Sequence, residues 1–463
     1  MNRLFISAAH KSSGKTTVCI GLCAALRTRG EVVQPFKKGP DYIDPLWLGL
    51  AAGRPCYNLD AYLMGADEIR AQVARSMRGA TLGIVEGNKG LYDGLDLHGS
   101  NSNAAMAALL GTPVVLVIDA RGMTRGIAPL ILGYQAFDRN IRIAGVILNQ
   151  LGGSRHEAKL RAVIQHYTGV PVLGAVQHDE RMTIAERHLG LIPSNEAQGA
   201  RERVDEIAAL VAAQVDLDRL LAVAREALPL PGTRALMSGA PAQPGSPPVR
   251  LGIARDAAFG FYYPGDLDAL EVAGAELVSF DALHADHLPQ VDGVFIGGGF
   301  PETHMEALAA NTNLRRELHD AIEAGLPAYA ECGGLMYLAR GIEWNGRRAG
   351  MVGVIPADIV MHSRPVGRGY VHLRETGRGL WPRPPALQAP LIHAHEFHYS
   401  SVENLAPGVE FAYEVERGHG IDGRHDGIVY KNLLASFAHL RDVAGNPWAR
   451  RFVDFVRSCR HAA

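Results

Sequence analysis

The sequence predicts an α/β fold built as two domains, and three observations carry that prediction. Short apolar runs alternate with helical stretches along the first half of the chain. A segment rich in proline and glycine interrupts this pattern at residues 229–248. Beyond it the alternation resumes and then gives way to strand-rich sequence. We therefore expect domains at 1–228 and 249–463, joined by a partly extended linker.

The apolar runs of the first domain are continuous, as in strands that are buried on both faces. Because helices separate most of them, they predict a doubly wound parallel sheet. The predicted strands are 4–8, 32–36, 82–85, 114–118, 144–148 and 172–176, with one closing helix at 201–226. In the second domain we expect strands at 250–254, 276–280, 293–296 and 328–330, and later at 353–360, 369–373 and 411–415.

Composition excludes several classes of protein. Lys and Arg number 46 and Asp and Glu 48 in 463 residues, a net charge of -2, so no nucleic-acid partner is expected. No apolar run reaches the roughly 18 residues of a membrane helix, and no leader is recognisable, so no membrane partner is expected. The cysteines are odd in number and scattered, which indicates a reduced, cytoplasmic protein: Cys19, Cys23, Cys56, Cys332 and Cys459.

A phosphate-binding loop follows the first predicted strand. Residues 9–17 read Ala-His-Lys-Ser-Ser-Gly-Lys-Thr-Thr and lead into a helix. Such a loop cradles phosphates with backbone N–H groups, while a lysine reaches the β and γ oxygens and a hydroxyl binds Mg²⁺. Lys15 and Thr16 fit these two roles, although Ala9 stands where the usual motif begins with glycine. We expect a nucleotide site formed by Ser13, Gly14, Lys15, Thr16 and Thr17.

Carboxylates follow three of the predicted strands. Asp41 and Asp44 lie after the second strand, Glu86 and Asp93 after the third, and Asp119 after the fourth. Ligands of open α/β sheets bind outside the carboxyl ends of the strands, so these groups are expected to converge near the phosphates. One or two of them would hold Mg²⁺, which prefers hard oxygen ligands.

These motifs together resemble the cobyrinic acid a,c-diamide synthase family of dethiobiotin synthetase-like P-loop ligases. The matching segments are Gly14–Thr17, residues 34–45, residues 86–94 and residues 186–191. The resemblance implies ATP and Mg²⁺ as cofactors, with the metal held by Thr16, Asp41 and Glu86. It places Asp44 and Asp93 on the side of the substrate or the transferred phosphate, as catalytic residues. Asn149 resembles the adenine-facing asparagine of related enzymes, and a simple turn residue is the alternative interpretation.

A second centre is predicted around Cys332. The strand at 328–330 runs into Glu331-Cys332-Gly333-Gly334 and an expected helix at 335–340. A thiol at such a turn sits at a helix N-terminus, which favours the thiolate. The adjacent glycines allow backbone N–H groups to approach a developing oxyanion, and the glycine-rich turn at 297–299 could supply another donor.

His439 is the candidate base for this thiol. The pair resembles the class I glutamine amidotransferase domain that is fused to cobyrinate-type synthetases. Many class I members carry His-x-Glu, but here Arg441 holds the third place, so the acid that orients His439 is left open. The segment His393-Ala394-His395-Glu396-Phe397-His398 lacks the spacing of a zinc site, and we expect His395 and Glu396 to support the domain or the glutaminase centre.

The predicted function is amidation of peripheral carboxylates of a tetrapyrrole, through an acyl phosphate, with ammonia from glutamine hydrolysed at Cys332. The partners are L-glutamine and the tetrapyrrole, and a homodimer is one possible assembly. Asn88 and Lys89 depart from the cobyrinate pattern and are similar to the sirohaem amidase branch. Cobyrinic or hydrogenobyrinic acid and sirohaem or sirohydrochlorin therefore stay open as substrates. The alternative from another class is a P-loop ATPase switch without synthetic activity. The predicted glutaminase centre at the Cys332 turn argues against it, because a switch has no use for ammonia.

Overall fold

A computed structural model describes residues 1–187, 190–231, 248–381 and 391–462 of the chain. The chain divides into two compact units, Met1–Gly239 and Ala240–Ala463. Most of the predicted linker at 229–248 lies outside the described residues, as do His188 and Leu189 of the segment 186–191.

The first unit contains a seven-stranded parallel sheet. The sequence predicts the parallel sheet and six of its strands, and it misses the short edge strand Tyr57–Leu59. The strands lie in the order β3-β2-β4-β1-β5-β6-β7. They are β1 (Asn2–Ala8), β2 (Val33–Lys38), β3 (Tyr57–Leu59), β4 (Leu82–Glu86), β5 (Val114–Asp119), β6 (Ile143–Leu151) and β7 (Val172–Gln177), followed by a small hairpin of β8 (Glu186–Arg187) and β9 (Gly190–Leu191). The helices are α1 (Lys15–Thr28), α2 (Ile43–Ala52), α3 (Ala66–Ser76), α4 (Asn103–Leu110), α5 (Ile127–Phe137), α6 (Ser154–Tyr167), α7 (Ala200–Gln214) and α8 (Leu217–Ala224).

The order of the strands brings the predicted phosphate loop and two acidic loops together. Strands β1, β4 and β2 are neighbours, with Ile6 beside Glu86 and Glu86 beside Lys37. All three strands end at the same edge because they are parallel, and ligands bind at that edge in open α/β sheets. Strand β6 lies on the other side of β5, where Asn149 is in register with Asp119.

The single closing helix expected at 201–226 is wrong in one respect, because the structure breaks it into α7 and α8. Val215 between them has extended backbone and forms a β-bridge with Gly174 of β7. Asp216 then caps α8, since its carboxylate accepts a hydrogen bond from Arg219 N. A tertiary contact therefore overrides the continuous helical pattern of the sequence.

The second unit is built on a nine-stranded mixed sheet in the order β12-β10-β13-β15-β24-β23-β22-β19-β20. A smaller sheet has the order β17-β16-β18-β21, and β11 pairs with β14. The strands are β10 (Val249–Ala254), β11 (Phe259–Phe261), β12 (Ala275–Phe280), β13 (Gly293–Ile296), β14 (Gly298–Gly299), β15 (Ala328–Glu331), β16 (Ala339–Trp344), β17 (Arg347–Gly350), β18 (Ile355–Met361), β19 (Gly367–Glu375), β20 (Ile392–His398), β21 (Ser400–Glu403), β22 (Glu410–Arg417), β23 (His425–Tyr430) and β24 (Leu433–Ser436).

Among the described residues of this unit, five α-helices accompany these sheets: α9 (Pro264–Val272), α10 (Met305–Ala310), α11 (Thr312–Glu323), α12 (Gly333–Leu338) and α13 (Trp448–Ala462). The helix expected at 335–340 begins two residues earlier and ends two residues earlier, because Ala339 already enters β16. The predicted α/β fold is confirmed for both units. Within the described ranges, no helix combines the length and apolar character needed to cross a membrane.

Candidate active sites

The phosphate loop of the first unit packs against Asn149 of β6. Gly14 precedes α1 with φ 80°, a left-handed conformation that favours glycine. A Cβ placed on Gly14 would lie 2.2 Å from Nδ2 of Asn149, so only glycine fits there. The same Nδ2 donates to the carbonyl of Ser13 at 3.0 Å. Asn149 thus contacts the loop itself, while its expected contact with adenine stays a prediction.

Lys15 is nearly buried, at 8% exposure, and its Nζ donates to the carbonyl of Lys89 at 2.7 Å. Burial lowers the pKa of Lys15, and nearby Glu86 opposes that shift. The loop that carries Glu86 and Asp93 therefore touches the phosphate-loop lysine directly. Lys89 has φ 43°, so the backbone is strained where it accepts this hydrogen bond.

Lys37 gathers the predicted metal-side carboxylates around one buried ammonium. Its Nζ lies 2.5 Å from Asp44 Oδ2, 2.9 Å from Glu86 Oε1 and 3.8 Å from Asp41 Oδ2. The hydroxyl of Thr16 donates to Glu86 at 2.7 Å and to Asp44 at 3.2 Å. Asp44, which the resemblance places on the substrate side, thus shares its partners with Glu86.

The charges of this cluster depend on one another. Burial would lower the pKa of Lys37, but Asp44 and Glu86 hold it well above its usual value. Burial raises the pKa of Glu86, and Lys37 limits that rise. For Asp44 the ammonium of Lys37 and the hydroxyl of Thr16 outweigh burial, so its pKa is lowered. The ammonium therefore occupies the position where a hard cation would be stabilised.

The residues also fit a divalent metal. Glu86 is fully buried, and its Oε2 has no hydrogen-bond partner. An unpaired buried carboxylate oxygen is costly, and a cation beside Thr16 would satisfy it. Over the described part of the chain, no three His, Cys, Asp or Glu side chains form a ready-made metal cluster, and among these carboxylates it is the Lys37 ammonium that lies in contact with them.

Three other residues that the sequence analysis singled out do not contact Lys37. Asp93 is exposed and accepts a hydrogen bond from Gly90 N at 2.9 Å, which closes the loop after β4. Asp119 is paired with the guanidinium of Arg121 at 2.6 Å and does not join the Lys37 cluster. Asn88 accepts from Lys38 Nζ at 3.1 Å, so it braces the loop.

The second unit holds Cys332 in a strained turn between β15 and α12. Its φ is 49° and its ψ is -103°, and it is 7% exposed. The backbone N–H of Cys332 donates to Ser436 O at 2.7 Å, which ties the turn to the end of β24. A nucleophile on a sharp strand-to-helix turn projects into the adjoining pocket and lies at a helix N-terminus.

The ring of His439 lies between Cys332 and Glu331. It is hydrogen-bonded to the Cys332 side chain, and its Nδ1 lies 3.3 Å from Glu331 Oε2. Burial would lower the pKa of His439, but the contacts with Cys332 and Glu331 raise it to about 10. The imidazolium form is therefore favoured beside the sulfur.

The glycine-rich turn after β13 comes close to both catalytic candidates. A Cβ on Gly298 would lie 2.7 Å from His439 Cε1. A Cβ on Gly333, directly after the cysteine, would lie 2.9 Å from the backbone N of Gly299. The hydroxyl of Tyr262 accepts from Gly297 N at 2.9 Å and fixes the start of this turn. The two glycine-rich turns thus lie against each other, next to His439 and to the residue that follows Cys332.

Arg441 lies two residues after His439, where many class I members have a glutamate. Its side chain forms a buried ion pair with Asp266, and its guanidinium lies 4.8 Å above the ring of Tyr263. Sequence reasoning missed Glu331, although it directly precedes the nucleophile. The contact joins residues 108 positions apart, so no local pattern reveals it. It also missed Asp426, which accepts from Phe437 N and Ala438 N just before His439.

The histidine-rich strand β20 supports the centre through its backbone. His395 and His439 exchange backbone hydrogen bonds of 3.3 and 2.7 Å. Glu396 accepts from His419 N and Gly420 N at 2.7 and 2.9 Å, which holds the loop after β22. Both contacts agree with the expected supporting roles of His395 and Glu396.

Comparison with known proteins assigns both units. Residues 5–192 match the CobQ/CobB/MinD/ParA nucleotide binding domain. Residues 250–445 match the CobB/CobQ-like glutamine amidotransferase domain. A cobyrinate a,c-diamide synthase of Magnetococcus marinus is 48% identical over 98% of this chain and 97% of its own length. The chain belongs to the cobyrinate a,c-diamide synthase family.

Relatives from distant organisms carry the same name. The synthase of Methanosarcina acetivorans is 41% identical over 98% of this chain and 95% of its own length. That of Archaeoglobus fulgidus is 40% identical over 97% of this chain and 96% of its own. A nucleotide-binding domain and a glutamine amidotransferase domain in one chain identify a glutamine-dependent ligase. The predicted family, fold class and type of enzyme are confirmed.

Proposed function

We propose that the enzyme amidates peripheral carboxylates of cobyrinic or hydrogenobyrinic acid, using ATP and glutamine. The observation that carries this proposal is the presence of two chemically different centres in one chain. One joins a nucleophilic thiol to a buried histidine and glutamate, and the other joins a phosphate loop to buried carboxylates. The near full-length similarity to cobyrinate synthases supports the choice of substrate over sirohaem or sirohydrochlorin.

The glutaminase half-reaction uses Cys332 and His439. The thiolate attacks the side-chain carboxamide carbon of glutamine, and the oxyanion forms beside the backbone N–H groups of the two glycine-rich turns. His439 then gives its proton to the departing nitrogen, and ammonia leaves as a thioester forms. Water hydrolyses the thioester, with His439 as base, which yields glutamate and restores the thiol.

The synthetase half-reaction uses the first unit. A substrate carboxylate attacks the γ-phosphorus of ATP, and ADP leaves, which gives an acyl phosphate. Ammonia then attacks the acyl carbon and inorganic phosphate leaves. Lys15 and Lys37 offset negative charge on the transferred group. Thr16, Asp41 and Glu86 would hold Mg²⁺, joined by Asp44, and the ion supplies further charge neutralisation at the phosphates.

Ser13, Gly14 and Thr17 complete the proposed nucleotide site, with Asn149 fixing the loop. We assign Asp44 to the boundary between the metal and the acceptor carboxylate, since its oxygen contacts both Lys37 and Thr16. Asp93, at the exposed end of the next loop, is the group proposed to meet the substrate.

A substrate comparison tests the proposal. Purified enzyme receives Mg·ATP and glutamine together with cobyrinic acid, sirohydrochlorin or sirohaem, and mass spectrometry identifies the amidated product. We expect two amides on cobyrinic acid and matched formation of ADP and glutamate. Amidation of sirohaem or sirohydrochlorin alone would overturn the substrate assignment. ATP hydrolysis without amidation of any tetrapyrrole would overturn the ligase and favour the nucleotide switch.

A further inference from the structure

We infer that Glu331 is the positioning acid of the glutaminase centre, and that it replaces an acid two residues after the histidine. This inference rests on the proposed hydrolysis of glutamine at Cys332. The proposed role of Glu331 needs no contact with glutamine. It acts through His439, by fixing the orientation of the ring and by stabilising its protonated form.

The contacts of Glu331 are those of a carboxylate fixed in one orientation. Oε2 lies 3.3 Å from Nδ1 of His439. Oε1 accepts hydrogen bonds from the hydroxyl of Tyr329 at 2.5 Å and from the backbone N–H of Leu440 at 2.9 Å. Glu331 is only 4% exposed. With one oxygen anchored twice, the other is held against the imidazole.

The strand geometry explains how an acid next to the nucleophile can reach the histidine. Tyr329 and Glu331 are two positions apart on β15, so they share a face of the sheet. Glu331 is in register with Ser436 at the end of the parallel strand β24, three residues before His439. Cys332 follows in the strained turn, and its side chain is hydrogen-bonded to the same ring. The acid and the nucleophile therefore approach one imidazole from consecutive residues.

The usual place for the acid is taken by another interaction. Arg441 lies there and pairs with Asp266, and both side chains are almost fully buried. Asp266 also accepts from the indole N–H of Trp448 at 3.2 Å. Asp426 approaches the same segment but binds the backbone N–H groups of Phe437 and Ala438. Each of these carboxylates thus holds the backbone or another side chain near the histidine.

In the described part of this unit, few charged groups lie near His439, so its protonation depends on its contact with Glu331. The groups that influence His439 are Cys332, Glu331 and His395, and those near Glu331 are Tyr329, Tyr262, Tyr413 and Asp266. Burial lowers the pKa of His395 to about 3, so that ring is neutral and adds no positive charge. Replacing Glu331 with a neutral residue would remove one of the two contacts that raise the pKa of His439, so the protonated ring beside Cys332 would be less stable.

The test is the pH dependence of two reactions in Glu331→Gln, a variant of nearly equal shape. We measure glutamate release and the rate at which iodoacetamide alkylates Cys332, from pH 5 to pH 10. In the variant we expect the acidic limb of both profiles to move to higher pH. At neutral pH glutaminase kcat should fall about tenfold to a hundredfold, with a smaller change in KM for glutamine.

Two further variants separate positioning from folding. Tyr329→Phe removes one anchor of Glu331 and should give a smaller shift of the same sign. Asp358→Asn neutralises another carboxylate of this unit, one that pairs with Arg340 and Arg348, and should leave the pH profile in place. Amidation with ammonium should keep its wild-type rate in Glu331→Gln, which shows that the first unit is intact.

The outcomes are distinguishable from failure of the proposed function. A wild-type enzyme that releases no glutamate would overturn the glutaminase assignment itself. An active wild type together with a Glu331→Gln variant whose alkylation and glutaminase profiles are unchanged would overturn only the role of Glu331. Equal shifts in Glu331→Gln and Asp358→Asn would also overturn it, since a general effect of losing a carboxylate in this unit would then explain both.

Discussion

At the scale of single residues, lysines decide the chemistry of the first unit. Lys37 is buried among three carboxylates, and Lys15 contacts the loop that carries one of them. Neutralised carboxylates reduce repulsion of a substrate that is itself rich in carboxylates. The phosphate loop and the acidic loops therefore act as one electrostatic unit.

Replacing Lys15 with alanine removes the ammonium expected to reach the γ-phosphate. We expect ATP-dependent amidation to fall about a hundredfold or more, because one charge contact in the transition state is lost. Glutamate release at Cys332 should persist, since that chemistry belongs to the other unit. Parallel assays of ADP and glutamate measure both. Unchanged amidation would remove the phosphate loop from the mechanism.

Glu86 ends β4 and Asp93 lies in the loop that follows, and the two are expected to differ in role. Glu86→Gln should weaken binding of Mg·ATP, because it removes a buried negative charge beside Thr16. Asp93→Asn should leave that binding intact and lower turnover, since an amide oxygen can still accept from Gly90 N. Titration calorimetry with Mg·ATP compares the two. Equal loss of affinity would contradict this division between metal and substrate.

At the scale of elements, the entry into α1 depends on its glycine. Gly14→Ala would place a methyl group 2.2 Å from the Asn149 amide at a left-handed φ. We expect loss of nucleotide binding, measured by calorimetry, with the second unit still releasing glutamate. Gly126→Ala is the matched control, because Gly126 has φ -60° before α5 and open space around it. Loss of binding in both variants would point to general destabilisation.

Local patterns predict most elements of this protein, and non-local contacts explain the exceptions. Apolar runs locate six of the seven strands of the first sheet to within a few residues, because buried parallel strands need them. The break at Val215 depends on a bridge to Gly174, which helical periodicity does not encode. The phosphate loop and the cysteine turn are visible as motifs, but the partner of His439 lies 108 positions away.

In the whole molecule, the two proposed reactions share only ammonia. Each unit has its own sheet and its own buried cluster of polar side chains. We therefore expect the two reactions to take place at different sites: ammonia is released at Cys332, and the amide bond is formed at the phosphate loop.

Replacing Cys332 with alanine tests that claim most directly. The variant and the wild type are assayed for amidation of cobyrinic acid with Mg·ATP, once with glutamine and once with a high concentration of ammonium chloride. If the two reactions use separate sites, the Cys332→Ala variant loses amidation with glutamine, while its amidation with ammonium continues at the wild-type rate. Equal loss with both nitrogen donors would contradict the separation of the two reactions.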